Sequence, residues 1–207
     1  KTSIRSFRSE HVSKFVKSLL DYDLENAKKL LVELNEKYPI VITRDITVAK
    51  DWLKNKARGN ERYGIIASSK AHRLKPFGIY VDADIDAPQW FLNDKEDVRS
   101  SYYLEHVATE FHIQGLELDW TCVAWDGNFR FENNSWSYNQ FSGKKWNKIR
   151  NEEKMTYLKN TYRVLLTRAR QGMVIFVPKG NDDDHTRKHE YYDGTFEYLK
   201  SIGIKEL

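Results

Sequence analysis

The chain has 207 residues, 34 basic against 30 acidic side chains and a hydrophobic fraction of 40%, which predicts one soluble domain with its own core and a charge balance too even to argue for nucleic acid by itself. No apolar run approaches the ~20 residues that cross a bilayer, and no signal-peptide pattern follows Lys1. A single cysteine, Cys122, excludes an intramolecular disulfide and any multi-cysteine metal site, so a cytoplasmic location is the expectation, without a membrane partner.

Ser9 is placed to cap a first helix to about Leu20, with Val12, Phe15, Val16, Leu19 and Leu20 on one face. Asp23 caps a second helix to about Lys37, ended by Tyr38-Pro39. Ile40 to Thr43 reads as a buried strand, and Asp45 caps a third helix ending near Gly59. Tyr63 to Ala67 is another buried strand, and residues 68–100 are irregular. His106 to Thr109 and Trp120 to Trp125 are further strand candidates. Residues 129–139 alternate around Asn133-Asn134 as a β-hairpin does. Asn151 to Arg170 reads as the longest helix, stopped by Gly172 before a strand from Met173 to Val177, with a short helix at Thr195 to Ser201. Non-alternating strands separated by amphipathic helices predict an α/β fold with a mostly parallel sheet covered on both faces.

Three features invite a metal or nuclease reading. Asp82, Asp84 and Asp86 have a spacing that begins like an EF-hand loop, but Ala87 and Asn93 stand where glycine and glutamate are required. Gly78-Ile79-Tyr80 lacks the second half of the nuclease motif it opens, and His185, His189 and Asp182 to Asp184 sit in a loop without fixed spacing. A turn, a chance tripeptide and a solvated loop account for them, and no metal site is predicted. Trp136, Tyr138, Phe141 and Trp146 alternate with Lys144, Lys145, Lys148 and Arg150. They form either a single-strand stacking platform or a hairpin packed on the domain.

Thr109 to Glu117, with Gly115-Leu116-Glu117 at its end, and Val164-Leu165-Leu166-Thr167-Arg168-Ala169 resemble motifs V and VI of superfamily 1 helicases. Phe7-Arg8-Ser9 looks like motif IV. The three occur in the family's order and cover about residues 1 to 180. Ile113 to Trp120 is similar to a bacterial branch, a domain of unassigned function, related to the Schlafen helicase-like domain. The resemblance implies a second RecA-like domain spanning 1–207, three-layered, with a small β-hairpin insertion at about 127–148.

By the same resemblance, Arg168 and Arg8 face the γ-phosphate of ATP, and Gly115, Glu117, Gln114 and Thr167 lie beside the nucleotide. Arg170 is expected to cap the helix C-terminus. Phe111 and Gln114 replace the family's motif V histidine and lysine, which weakens the implied coupling to single-stranded DNA or RNA. No Gly-x-x-x-x-Gly-Lys-Ser/Thr occurs in the chain. ATP and Mg2+ are therefore expected only in a longer protein, whose N-terminal RecA-like domain is the implied partner. The fragment alone is expected not to hydrolyse ATP. The alternative is a nucleic-acid-binding or protein-interaction module of the same fold without ATP chemistry.

Overall fold

The computed structural model describes residues 4–34 and 37–207. Helix α1 (Ile4–Leu20) leads into α2 (Leu24–Leu34), and both apolar faces are buried as their spacing predicts. Because α1 already begins at Ile4, Ser9 lies inside it and caps nothing, and Phe7-Arg8-Ser9 is helical rather than ahead of a helix. No breaker precedes Ser9, and the His11 ring packs on Phe7 one turn earlier at 3.7 Å between centroids. Asp23 does accept the Asn26 N–H. The expected extension of α2 to Lys37 crosses residues 35–36, outside the described residues.

Strand β1 (Ile40–Thr43), α3 (Ile46–Lys56) and β2 (Tyr63–Ala67) follow as predicted, with the Asp45 carboxylate accepting the Thr47 and Val48 N–H groups. The irregular stretch holds a 3-10 turn (His72–Phe77) and a short α4 (Ala87–Leu92), capped by Asp86. Strand β3 shrinks to Ala108–Thr109, because the His106 carbonyl accepts from Trp90 Nε1 instead of joining the ladder. Strand β4 is Leu118–Ala124, α5 is Glu152–Leu166, β8 is Ala169–Phe176, α6 is Asp193–Ser201 and β9 is Lys205–Glu206.

Strands order β3-β2-β4-β8-β1-β9, and every pairing is parallel. Val174 and Phe176 enter the core on the α3 side, while Met173, Ile175 and Val177 enter the core under α1, α2, α5 and α6. Burial on both faces explains the unbroken apolar runs. This is a RecA-like α/β fold. No helix among the described residues is long and apolar enough to cross a membrane.

Three expectations change. Helix α5 stops at Leu166, so α1, at 17 residues against 15, is the longer described helix. Arg168 is in the turn and Arg170 is in β8, so Arg170 caps no helix. Gly172 is not a helix stop but a strand residue paired with Trp120. Strand geometry wins there because a Cβ on Gly172 would lie 2.6 Å from the Pro39 carbonyl oxygen and 2.7 Å from the Trp120 ring.

The insertion is larger than one hairpin. β5 (Phe129–Glu132), β6 (Ser135–Ser142) and β7 (Lys145–Lys148) form a three-stranded antiparallel sheet. Asn133 and Asn134 both adopt positive φ, 51° and 57°, the signature of a type I′ turn.

Candidate functional site

All main-sheet strands run the same way, so the segments entering β1, β4 and β8 share one edge. Tyr38 precedes β1, Gly115 and Glu117 precede β4, and Thr167 and Arg168 precede β8. Helix α1 crosses the same edge, and Arg8 Nη1 donates to the Arg170 carbonyl at 3.2 Å. Arg8, Ser9, Tyr38, Glu117, Thr167 and Arg170 line a cleft of about 70 Å³. That is roughly two water volumes at ~30 Å³ each, far below the ~300 Å³ or more that encloses a small ligand. The cleft is too small to enclose a nucleotide by itself.

The motif V turn is built from short-range bonds. The Thr109 N–H donates to His112 Nδ1 at 3.0 Å, and Ile113 N–H donates to the Thr109 carbonyl. Gly115 takes φ +74°, where a Cβ would be strained though nothing lies within 4 Å of it. Gln114 and Phe111 are exposed, and Glu117 is exposed but engaged in an interaction of its own.

The motif VI side chains diverge. Thr167 Oγ1 donates to the Arg163 carbonyl at 2.8 Å, so its hydroxyl closes α5. The half-buried Arg168 donates from Nε to the Val164 carbonyl (3.3 Å) and from Nη1 to the Leu116 carbonyl (3.4 Å). It thus clasps the motif V turn, and it is Arg170 that reaches the cleft with Arg8. Arg8 Nε is buried with no acceptor among the described residues, which suits an anion with oxygens to spare. No group of three or more metal-ligating side chains occurs among the described residues.

Three residues of this edge escaped sequence reasoning. Tyr38 is fully buried, its hydroxyl donates to the Ala169 carbonyl at 3.1 Å, and burial pushes its ionisation far above the usual phenol range. Asp119 is the one carboxylate in a fully buried strand, a signal the sequence did carry. Glu61 accepts from Trp120 Nε1 and Gln171 Nε2; burial works against it, but these donors hold its carboxyl below the ordinary range.

The aromatic–basic stretch separates into two parts. Trp136 stacks on Phe129 (4.3 Å) and Trp125 (5.6 Å), and Tyr138 packs on Phe129. Trp146 Nε1 donates to the Thr186 carbonyl at 2.8 Å. The rings are half-buried against the domain, while Lys144 and Lys145 are exposed. At the opposite, C-terminal edge of the sheet lies a second recess of about 270 Å³. It is lined by Lys70, Glu110, Asn139, Gln140, Lys154 and Tyr157, among others. Tyr157 there is 49% exposed.

A RecA-like sheet whose motif IV, V and VI residues gather at one edge defines the class, a helicase-like domain. The family model described as Schlafen group 3, DNA/RNA helicase domain, matches residues 1–179. The chain belongs to that family. Comparison with curated proteins and with solved structures returned no match.

Proposed function

We propose that this domain supplies the arginine side of an ATP-hydrolysis site whose phosphate-binding loop and Mg2+ ligands belong to a separate RecA-like domain. One observation carries the reading. Arg8, Glu117, Thr167 and Arg170 meet at the N-terminal edge of the parallel sheet, whereas an open α/β sheet holds its own ligands at the C-terminal edge. A cationic cluster on the wrong edge for a private ligand suits a shared one.

Arg168 is the residue that answers charge developing on the transferred phosphoryl group. Its present acceptors are two neutral carbonyls at 3.3 and 3.4 Å, and charge-assisted bonds to phosphate oxygens are about twice as strong as neutral ones. Closure of the partner domain makes that exchange favourable. Glu117 accepts from the ribose, and Gly115 gives the backbone room. When bound, Mg2+ neutralises charge between the terminal phosphates. In a chain carrying the phosphate-binding loop, Arg168→Ala lowers kcat by ~10³–10⁵ with nucleotide binding retained. Unchanged turnover refutes the role.

A second reading, contact with single-stranded nucleic acid, is favoured by the C-terminal recess. Tyr157 offers an exposed ring and Lys70 and Lys154 offer cations, and Phe111, next to Glu110, is 55% exposed. This moves the stacking surface away from Trp136 and Trp146. Single-strand binding that weakens with salt and is lost in Tyr157→Ala supports it. Binding that ignores both salt and Tyr157 rejects it.

A further inference from the structure

We infer that Arg170 is a nucleotide-binding cation in its own right, contacting the polyphosphate chain beside Arg8, and that Asp119 is its positioning residue. The inference rests on the shared-site reading above and adds a residue to it.

Four observations carry it. Arg170 lines the cleft with Arg8, and Arg8 is docked on Arg170's own carbonyl at 3.2 Å. The Arg170 side chain is 41% exposed, and its Nη2 lies 3.1 Å from Asp119 Oδ1. Asp119 is itself buried and held from elsewhere: its Oδ2 accepts the Arg62 N–H at 2.7 Å, and Gln171 Nε2 approaches Oδ1. The β4–β8 register shifts between Leu118 and Trp120, and the Asp119 and Trp120 N–H groups both donate to the Arg62 carbonyl. The extra residue lies in β8, where Arg170 and Gln171 together oppose Asp119, and such a bulge re-aims a side chain, here Arg170 towards the Asp119 carboxylate.

A merely structural pair needs less than this. The Arg62 N–H and Gln171 already supply Asp119 with hydrogen bonds, and a neutral residue at 170 would satisfy the rest. Instead a guanidinium with five donors is held by one of its nitrogens and left part-exposed, on a residue that lines the cleft. Arg8 and Arg170 both line the cleft, so a multiply charged anion seated there meets two cations. A nucleoside triphosphate has that charge. The division of labour follows from the placements. Arg170 faces the cleft in the ground state and acts in binding, whereas Arg168 is withdrawn onto carbonyls and acts as charge develops.

The test uses this domain joined to the phosphate-binding domain that the shared-site reading requires and compares ATP kinetics for wild type, Arg168→Ala, Arg170→Ala, Arg170→Lys and Asp119→Asn. Arg170→Ala raises KM by about 10- to 100-fold, the loss of a charged hydrogen bond, and leaves kcat within about threefold. Arg168→Ala does the reverse. Arg170→Lys recovers part of the affinity, since the charge remains and the fork is lost. Asp119→Asn raises KM in the same direction by less, while a purely structural role lowers the folded fraction and leaves KM unchanged. The double variant Asp119→Asn/Arg170→Gln keeps a neutral pair, so a rise in KM at wild-type thermal stability cannot be misfolding. Wild-type KM in both Arg170→Ala and the double variant, with Arg168→Ala impaired, overturns this inference alone. A joined protein that neither binds nor hydrolyses ATP overturns the shared-site reading and this inference with it.

Discussion

Replacing Gly172 with alanine tests the fold where it meets the candidate site. The new Cβ lies 2.6 Å from the Pro39 carbonyl oxygen, 2.7 Å from Trp120 Cζ3 and 3.0 Å from Pro39 Cγ. None of these can swing away. The Pro39 carbonyl accepts the Met173 N–H at 3.0 Å. The Trp120 ring is tied to Glu61 at 2.9 Å and set edge-on to Trp52. Overpacking of this kind costs ~1–3 kcal/mol. With contacts this short the cost falls in the upper part of that range, about 2.4 kcal/mol or more; alanine returns ~0.4–1 kcal/mol by restricting the unfolded chain, which leaves a net loss of about 2 kcal/mol. For a chain of ~200 residues that lowers Tm by about 4–8 °C. The assay is thermal or urea unfolding followed by tryptophan fluorescence, with Trp120 beside the substitution. A displaced Pro39 also carries Tyr38, whose hydroxyl holds the Ala169 carbonyl in the cleft wall, so the cleft wall loosens together with the fold. A Gly172→Ala protein as stable as wild type, or more so, refutes the placement of β8 between β4 and β1.

The remaining expectations are more local. Burial pushes the Cys122 thiol up to about 12, so an aromatic disulfide reagent at about pH 8 leaves the native protein unlabelled and labels the urea-unfolded one. Hydrogen bonds from Thr186 outweigh burial and, with Arg187, hold the Asp184 carboxyl well below its ordinary range. A depressed folded value means its stabilisation is complete above the unfolded pKa of ~3.9 and fades as pH falls through the folded one. Asp184→Asn therefore lowers the urea midpoint near neutral pH and flattens its acid decline; an unchanged acid decline argues against the assignment. Trp136→Ala removes a ring stacked on both Phe129 and Trp125 and costs about 3 kcal/mol of stability, readable as a lower urea midpoint. If it instead leaves stability alone and abolishes single-strand binding, the ring is a platform after all. Lys144→Ala/Lys145→Ala, at exposed positions, changes stability by less than about 0.5 kcal/mol.

Much of the chain was legible because the deciding physics is local. Asp45 and Asn151 announce their helices by offering side-chain oxygens to free N–H groups. Asn133-Asn134 announces a turn because both residues tolerate positive φ. The spacing of Val12, Phe15, Val16 and Leu19 marks a buried helical face. The motif order, from Arg8 to Glu117 to Arg168, was likewise readable without coordinates, and it led to the family that matches residues 1–179.

Other readings failed where two structures share one local pattern. A glycine ahead of an apolar run reads as a helix stop, yet Gly172 is a strand residue pressed against Pro39 and Trp120, partners 133 and 52 positions earlier in the chain. An alternating aromatic ribbon shows that one face is covered, but not that Trp125, Phe129 and Tyr162 do the covering. Most of all, the sequence by itself placed Arg168 and Arg170 two residues apart on one presumed helix end. Tertiary structure sent them different ways. Helix α5 ended at Leu166, so Arg168 turned back onto the Val164 and Leu116 carbonyls. Arg170 entered β8 at its bulge opposite Asp119 and lined the cleft with Arg8. Propensity and spacing set the chemistry available at this edge of the sheet; the register between β4 and β8 decided which guanidinium faces the cleft, because only strand pairing brings Asp119 within reach of Arg170.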